Sequence, residues 1–219
     1  GSGVPGLWPW ATNKVPETMP LTQRQIPLDL AFPLDWRFDR FQVSAQNAQA
    51  VAAVERMADG EGDAKSLLLW GPAAVGKTHL LAAAAGLASV WTWAPWLDVA
   101  DLATRQCAPD ALSGLESAGL VCLDGIDAVC GQRDWEESLF HLHNRLQACG
   151  GSLLMSSSQA PSALSWALPD WASRVGAALV YRLHPLRDED LLRFLQDRAA
   201  QKGLDLPAEA GKFILQRHA

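Results

Sequence analysis

Residues 71–78 read Gly-Pro-Ala-Ala-Val-Gly-Lys-Thr and fit the pattern GxxxxGK[ST]. No other feature constrains the fold as tightly. The loop follows an apolar run, residues 66–70, and precedes residues 78–88, which are good helix formers. That context is what phosphate binding requires. Glycines let the backbone wrap a phosphate with its N–H groups, and the following helix N-terminus adds positive dipole. A lysine reaches the β/γ-phosphates, and a Thr hydroxyl ligates Mg²⁺. The pattern predicts nucleotide phosphate held at Gly71, Ala73, Ala74, Val75, Gly76, Lys77, Thr78 and His79. His79 is expected to pack or hydrogen-bond near the loop without a catalytic role.

Around this unit the pattern alternates. Strands are predicted at 66–70, 90–93, 120–123, 153–156 and 178–181. Helices are predicted at 44–57, 78–88, 96–106, 109–117 and 134–149, the last with a capping box from Asp134 to Glu137. Runs that are apolar throughout, separated by helices, argue for an α/β fold with a parallel sheet covered on both faces. The run 120–123 ends in Asp124, about 45 residues after the loop, as a Mg²⁺-holding acid on a neighbouring strand would. After Pro185 two amphipathic helices are expected, at 188–201 and 207–217. The 219 residues divide into a tag or disordered leader (1–18), an extended N-terminal segment (19–36), a nucleotide-binding core (37–185) and an incomplete helical lid (186–219).

Eighteen Lys and Arg stand against 24 Asp and Glu, a net charge of −6, which argues against broad electrostatic binding of nucleic acid. No apolar run reaches ~18 residues, so no membrane span is expected. The four cysteines, Cys107, Cys122, Cys130 and Cys149, form no CxxC pair. They read as reduced thiols in a cytoplasmic protein.

The segments GKTHLL, LVCLDGID, LFHLHNRL and LPDWASR together resemble the AAA+ ATPases of the DnaA type, and among them the short Hda-type regulatory inactivators. The resemblance implies an AAA+ core with a five-stranded parallel sheet and a partial helical lid. It implies ADP or ATP with Mg²⁺ held by Thr78 and Asp124, and a polar sensor 1 region at Ser157 and Ser158. Arg174 takes the place of an arginine finger acting in trans. Gln25-Ile26-Pro27-Leu28-Asp29-Leu30 resembles the family's clamp-binding hexapeptide, with Gln25, Ile26, Leu28 and Leu30 as the binding residues; the alternative is a strap on the core. The implied partners are DnaA and the DNA polymerase III β sliding clamp, with DNA reached only indirectly and a homo-oligomer open. The family's second acid is replaced by Gly125, and Asp127 reads as out of register. The sequence also lacks the third lid helix that carries sensor 2. Own hydrolysis is therefore expected to be weak or absent. Two alternatives stay open: a helicase-loader type ATPase, and a DnaA-like DNA-associated adaptor.

Trp91 and Trp93 are expected on one face of a strand, with core packing preferred over base stacking. His141 and His143, two apart on a helix, do not converge on a metal.

Overall fold

The computed structural model describes residues 36–218; the leader and the hexapeptide at residues 25–30 lie outside them. The five strands are β1 (Ser66–Trp70), β2 (Trp96–Asp98), β3 (Leu120–Asp124), β4 (Ser152–Ser157) and β5 (Leu179–Arg182). The helices are α1 (Ala48–Ala58), α2 (Lys77–Ala88), α3 (Val99–Thr104), α4 (Arg133–Ala148), α5 (Pro169–Ala177), α6 (Asp188–Gln201) and α7 (Ala208–His218). The strands are all parallel, in the order β2-β3-β4-β1-β5.

Side chains alternate across a strand, so each strand feeds two cores. Leu67 and Leu69 of β1, Leu120 and Cys122 of β3, and Leu154 of β4 pack against α1 and α2. Leu68, Val121, Leu123, Leu153 and Met155 pack on the other face, against α4 and α5. Leu67, Leu68 and Leu69 are fully buried, each worth about 1.5–3 kcal/mol in desolvation. This two-sided burial is why the central strands β1, β3 and β4 carry unbroken apolar runs. Helix α2 packs into this core through Leu80, Leu81, Ala84, Ala85 and Ala88, and the small alanines let it lie close.

Three local expectations are corrected. The β-rich residues 90–93 form turns, and the strand in that stretch is β2, where Trp96 pairs with Cys122. Trp91 and Trp93 are accordingly 52% and 47% exposed rather than packed in the core. Residues 109–117 hold two short 3-10 turns, Pro109–Leu112 and Leu115–Ser117, in place of a helix. The capping box of α4 does not form: its N-cap is Gln132, without a side-chain cap, and Glu137 accepts from Arg133 Nε at 2.8 Å instead. Among the described residues, no helix is long and apolar enough to cross a membrane.

Candidate functional site

The phosphate loop leaves β1 at Trp70 and enters α2 at Lys77. Gly76 is the N-cap of α2, with φ 96°, a left-handed backbone that suits glycine. A Cβ there would also meet Phe41 Cε2 at 2.5 Å. The first bond into the helix runs from Leu80 N to the Gly76 carbonyl, 3.0 Å. The amides of Lys77, Thr78 and His79 therefore precede the helical ladder, as the donors of an anion site do. The Lys77 ammonium donates to the carbonyls of Gly71 and Pro72 at 2.7 and 2.8 Å, folding back over the loop. Burial pushes its pKa down, and the carboxylates of Asp124 and Asp127 partly restore it. Ala74 also sits left-handed, at φ 62°, a conformation that costs an L-residue about 1–2 kcal/mol. His79 Nε2 lies 2.8 Å from the Arg37 carbonyl, and the ring packs against Trp36 and Phe41.

Asp124 ends β3 with 6% of its surface exposed. Burial pushes its carboxyl above the usual range; the Ser156 and Thr78 hydroxyls pull the other way, Asp98 adds to the rise and Lys77 opposes it. Ser156 of β4 donates to Asp124 Oδ1 and accepts from Gly125 N at 2.9 Å. Ser157 turns its hydroxyl to the Gln159 carbonyl, 2.8 Å away, and its own carbonyl accepts from Gly71 N at 3.3 Å. Ser158 binds Asp127 through both its amide, at 3.1 Å, and its hydroxyl. The acid read as out of register is thus held beside the loop by the serine read as its sensor.

A cleft of about 380 Å³ opens along the loop. Phe41, Val75, Leu191 and Phe194 give it apolar walls, with Ala73, Ala74 and Gly76 at one edge. Its lining suits a nucleotide: apolar surface for a base, with the backbone of the phosphate loop at one edge. Thr78 and Asp124 supply the hard oxygens that Mg²⁺ takes while it keeps waters and substrate phosphates, so this donor set fits the cation. Among the described residues, no three His, Cys, Asp or Glu side chains converge.

Arg174 stands elsewhere. It is exposed on α5, with its guanidinium 5.9 Å from the Phe140 ring centroid. It lines a second hollow of about 370 Å³ with Lys65, Ser66, His143 and Leu179. Ser66 and Leu179 are the first residues of β1 and β5, whereas the phosphate loop follows the last residue of β1. A five-residue strand at about 3.3 Å per residue separates the two ends by roughly 13 Å. Arg182 sits at the loop end, 5.0 Å from the Trp70 ring centroid.

The sequence reading missed three buried polar residues. Ser156 is one, hidden in a run of three serines. Asn47 is another: it accepts from His184 N at 2.9 Å and donates to His184 O at 2.8 Å, tying α1 to the segment that leads into the lid. Glu136, fully buried, accepts from the amides of Gly131, Ala167 and Leu168 at 2.7, 3.1 and 2.6 Å. It fixes the start of α5, on which Arg174 rides. Glu136 lies one residue from the acid chosen for the capping box, and helical spacing alone did not separate them.

The family model described as the bacterial DnaA ATPase domain matches residues 33–96, a stretch that includes Asn47 and the whole phosphate loop. The chain is similar in structure to replication initiator DnaA bound to AMPPCP and single-stranded DNA (TM-score 0.72, 19% identity, covering 84% of this chain and 60% of that one). It is similar to domain III of DnaA from Thermotoga maritima (TM-score 0.72, 21% identity, 84% of this chain and 81% of that one). A RuvB variant from Thermotoga maritima shares the fold more loosely (TM-score 0.58, 16% identity, 80% of this chain and 58% of that one). The chain thus spans 60% of the length of the first DnaA. The structural likeness shows the fold that these proteins share, and residues 33–96, with the whole phosphate loop, are similar to the bacterial DnaA ATPase domain.

Proposed function

We propose that this DnaA-like AAA+ domain is a regulator of the Hda kind, one that turns off an ATP-bound initiator. It binds ADP or ATP with Mg²⁺ at its own loop, docks on the sliding clamp through residues 25–30, and presents Arg174 to ATP held by DnaA. The observation that supports it best is the location of Arg174, exposed at the opposite end of the sheet from the chain's own phosphate loop. A guanidinium there does not serve its own nucleotide, but it is free to enter a site on a second subunit. The chemistry is neutralisation of charge on the transferring phosphoryl group, worth about 10³–10⁵ in rate in analogous cases. The planar, always-charged fork of arginine suits this task better than lysine does.

In the chain's own site, Lys77 and the amides at the start of α2 hold phosphate, while Thr78 and Asp124 hold the cation. Mg²⁺ there neutralises phosphate charge. The position after Asp124 is Gly125, in a left-handed backbone at φ 71°. It offers no carboxylate to activate water, which fits a site that retains nucleotide more than it turns it over.

The test is single-turnover hydrolysis of ATP preloaded on DnaA, with clamp on DNA. The wild-type chain is expected to stimulate hydrolysis, and Arg174→Ala to lose nearly all of that stimulation while still co-purifying with clamp. Gln25→Ala with Leu28→Ala is expected to lose clamp pull-down. Stimulation by Arg174→Ala within a few-fold of wild type would refute the finger; clamp capture by the double variant would leave residues 25–30 as a strap.

A further inference from the structure

We infer that the buried hydroxyl of Ser156 aims the Asp124 carboxylate at the cation accompanying the bound nucleotide, and so sets the Mg²⁺ affinity of the complex. The inference rests on the phosphate-loop reading above. Ser156 is fully buried. A serine hydroxyl has one proton to give. One neighbour, the Gly125 amide, is itself a donor at 2.9 Å, so the hydroxyl accepts there and its proton goes to Asp124 Oδ1. Its direction is therefore fixed by its surroundings.

The fold explains why this residue meets that acid. Ser156 shares a face of β4 with Leu154, and Asp124 shares a face of β3 with Cys122; both faces pack against the α2 side of the sheet. Helix α2 begins at Lys77 and Thr78. With Oδ1 held, the carboxylate cannot rotate freely, and its second oxygen is presented in one direction. The exposed pair of Ser158 and Asp127, two residues after Ser156 and three after Asp124, lacks this confinement. Ser156 is thus a positioning residue. Groups that orient a metal ligand in this way are typically worth 10–100-fold in metal affinity.

The experiment titrates a fluorescent ADP analogue into wild type and Ser156→Ala, once in EDTA and once across a Mg²⁺ series. In EDTA the two are expected to bind within about twofold of each other. The Mg²⁺ concentration that gives half of the enhancement is expected to rise about 10–100-fold in the variant. Ser156→Thr, which keeps the hydroxyl, is expected to return towards wild type. Ser156→Cys, a weaker donor of similar size, is expected to fall between and stands in if the alanine variant does not fold. An unchanged Mg²⁺ dependence in a folded variant would overturn the inference, as would equal losses in EDTA and in Mg²⁺, which mark a merely structural role. Failure of the wild type to bind the analogue at all would instead overturn the phosphate-loop reading, and this inference with it.

Discussion

Replacing Glu136 by glutamine removes one charge and alters no surface, yet it is expected to destabilise the protein by about 2–4 kcal/mol. Oε1 accepts from Gly131 N and Ala167 N, and Oε2 accepts from Leu168 N at 2.6 Å. Glutamine can keep one oxygen, and its best orientation serves the first two amides. Its NH₂ then faces the Leu168 amide, donor against donor, so one charge-assisted bond, worth about 1.5–3 kcal/mol, is lost outright. The other two bonds weaken because the acceptor is no longer charged. Urea unfolding followed by tryptophan fluorescence measures the loss as a midpoint shift on the order of 1 M, with little change in slope. The control is Glu137→Gln, the adjacent acid. Its partner Arg133 and Glu137 itself have side chains 66% and 44% exposed, and exposed pairs of this kind contribute less than about 1 kcal/mol. A Glu136→Gln loss under about 0.5 kcal/mol, or one no larger than the control's, would refute the assignment. Because α5 starts at this anchor, the proposed function also predicts that this variant reduces stimulation of DnaA-bound ATP hydrolysis with Arg174 intact.

Three further outcomes follow. Asn47→Ala removes both bonds to His184 and is expected to cost about 1–3 kcal/mol, read by thermal unfolding; a change within error would show that α1 and the lid segment are held otherwise. Ala74→Gly relieves a left-handed alanine and is expected to leave stability equal or up to about 1 kcal/mol higher, since glycine's unfolded-state entropy offsets part of the relief; a loss above about 1 kcal/mol would contradict the loop geometry. Thiol probes are expected to label the exposed Cys149 first. Cys122, whose thiol burial pushes far up, should label only on unfolding, and prompt labelling of it in native protein would contradict its place in β3.

The parts of the fold with a strong local signal were legible in the chain. The run 66–70 and the helix 188–201 fall where the pattern puts them, because a buried strand and an amphipathic helix each write themselves over many residues. Strand β2 did not. It has three residues, and its pairing of Trp96 with Cys122 is set by the neighbouring strand. The bulky β-formers 90–93 gave a local signal that tertiary structure overrode. The site divides in the same way. The phosphate loop, Asp124 and the buried Cys122 carry motif or pattern. Ser156 is hidden among three serines, and only strand parity decides which of them faces Asp124. Glu136 draws its role from residues 167 and 168, some 30 positions away, which no local spacing encodes.

The candidate nucleotide site follows the last residue of β1, and the exposed Arg174 lines the hollow at the other end of the same sheet. The most direct test is an ADP titration in excess Mg²⁺ of wild type, Lys77→Ala and Arg174→Ala. Losing the ammonium that folds over the loop is expected to weaken binding at least about tenfold, while Arg174→Ala is expected to match wild type within about twofold because Arg174 lines the hollow at the other end of β1. Equal affinity for wild type and Lys77→Ala would contradict phosphate binding at the loop, and a loss in Arg174→Ala as large as that in Lys77→Ala would contradict the separation of the two sites.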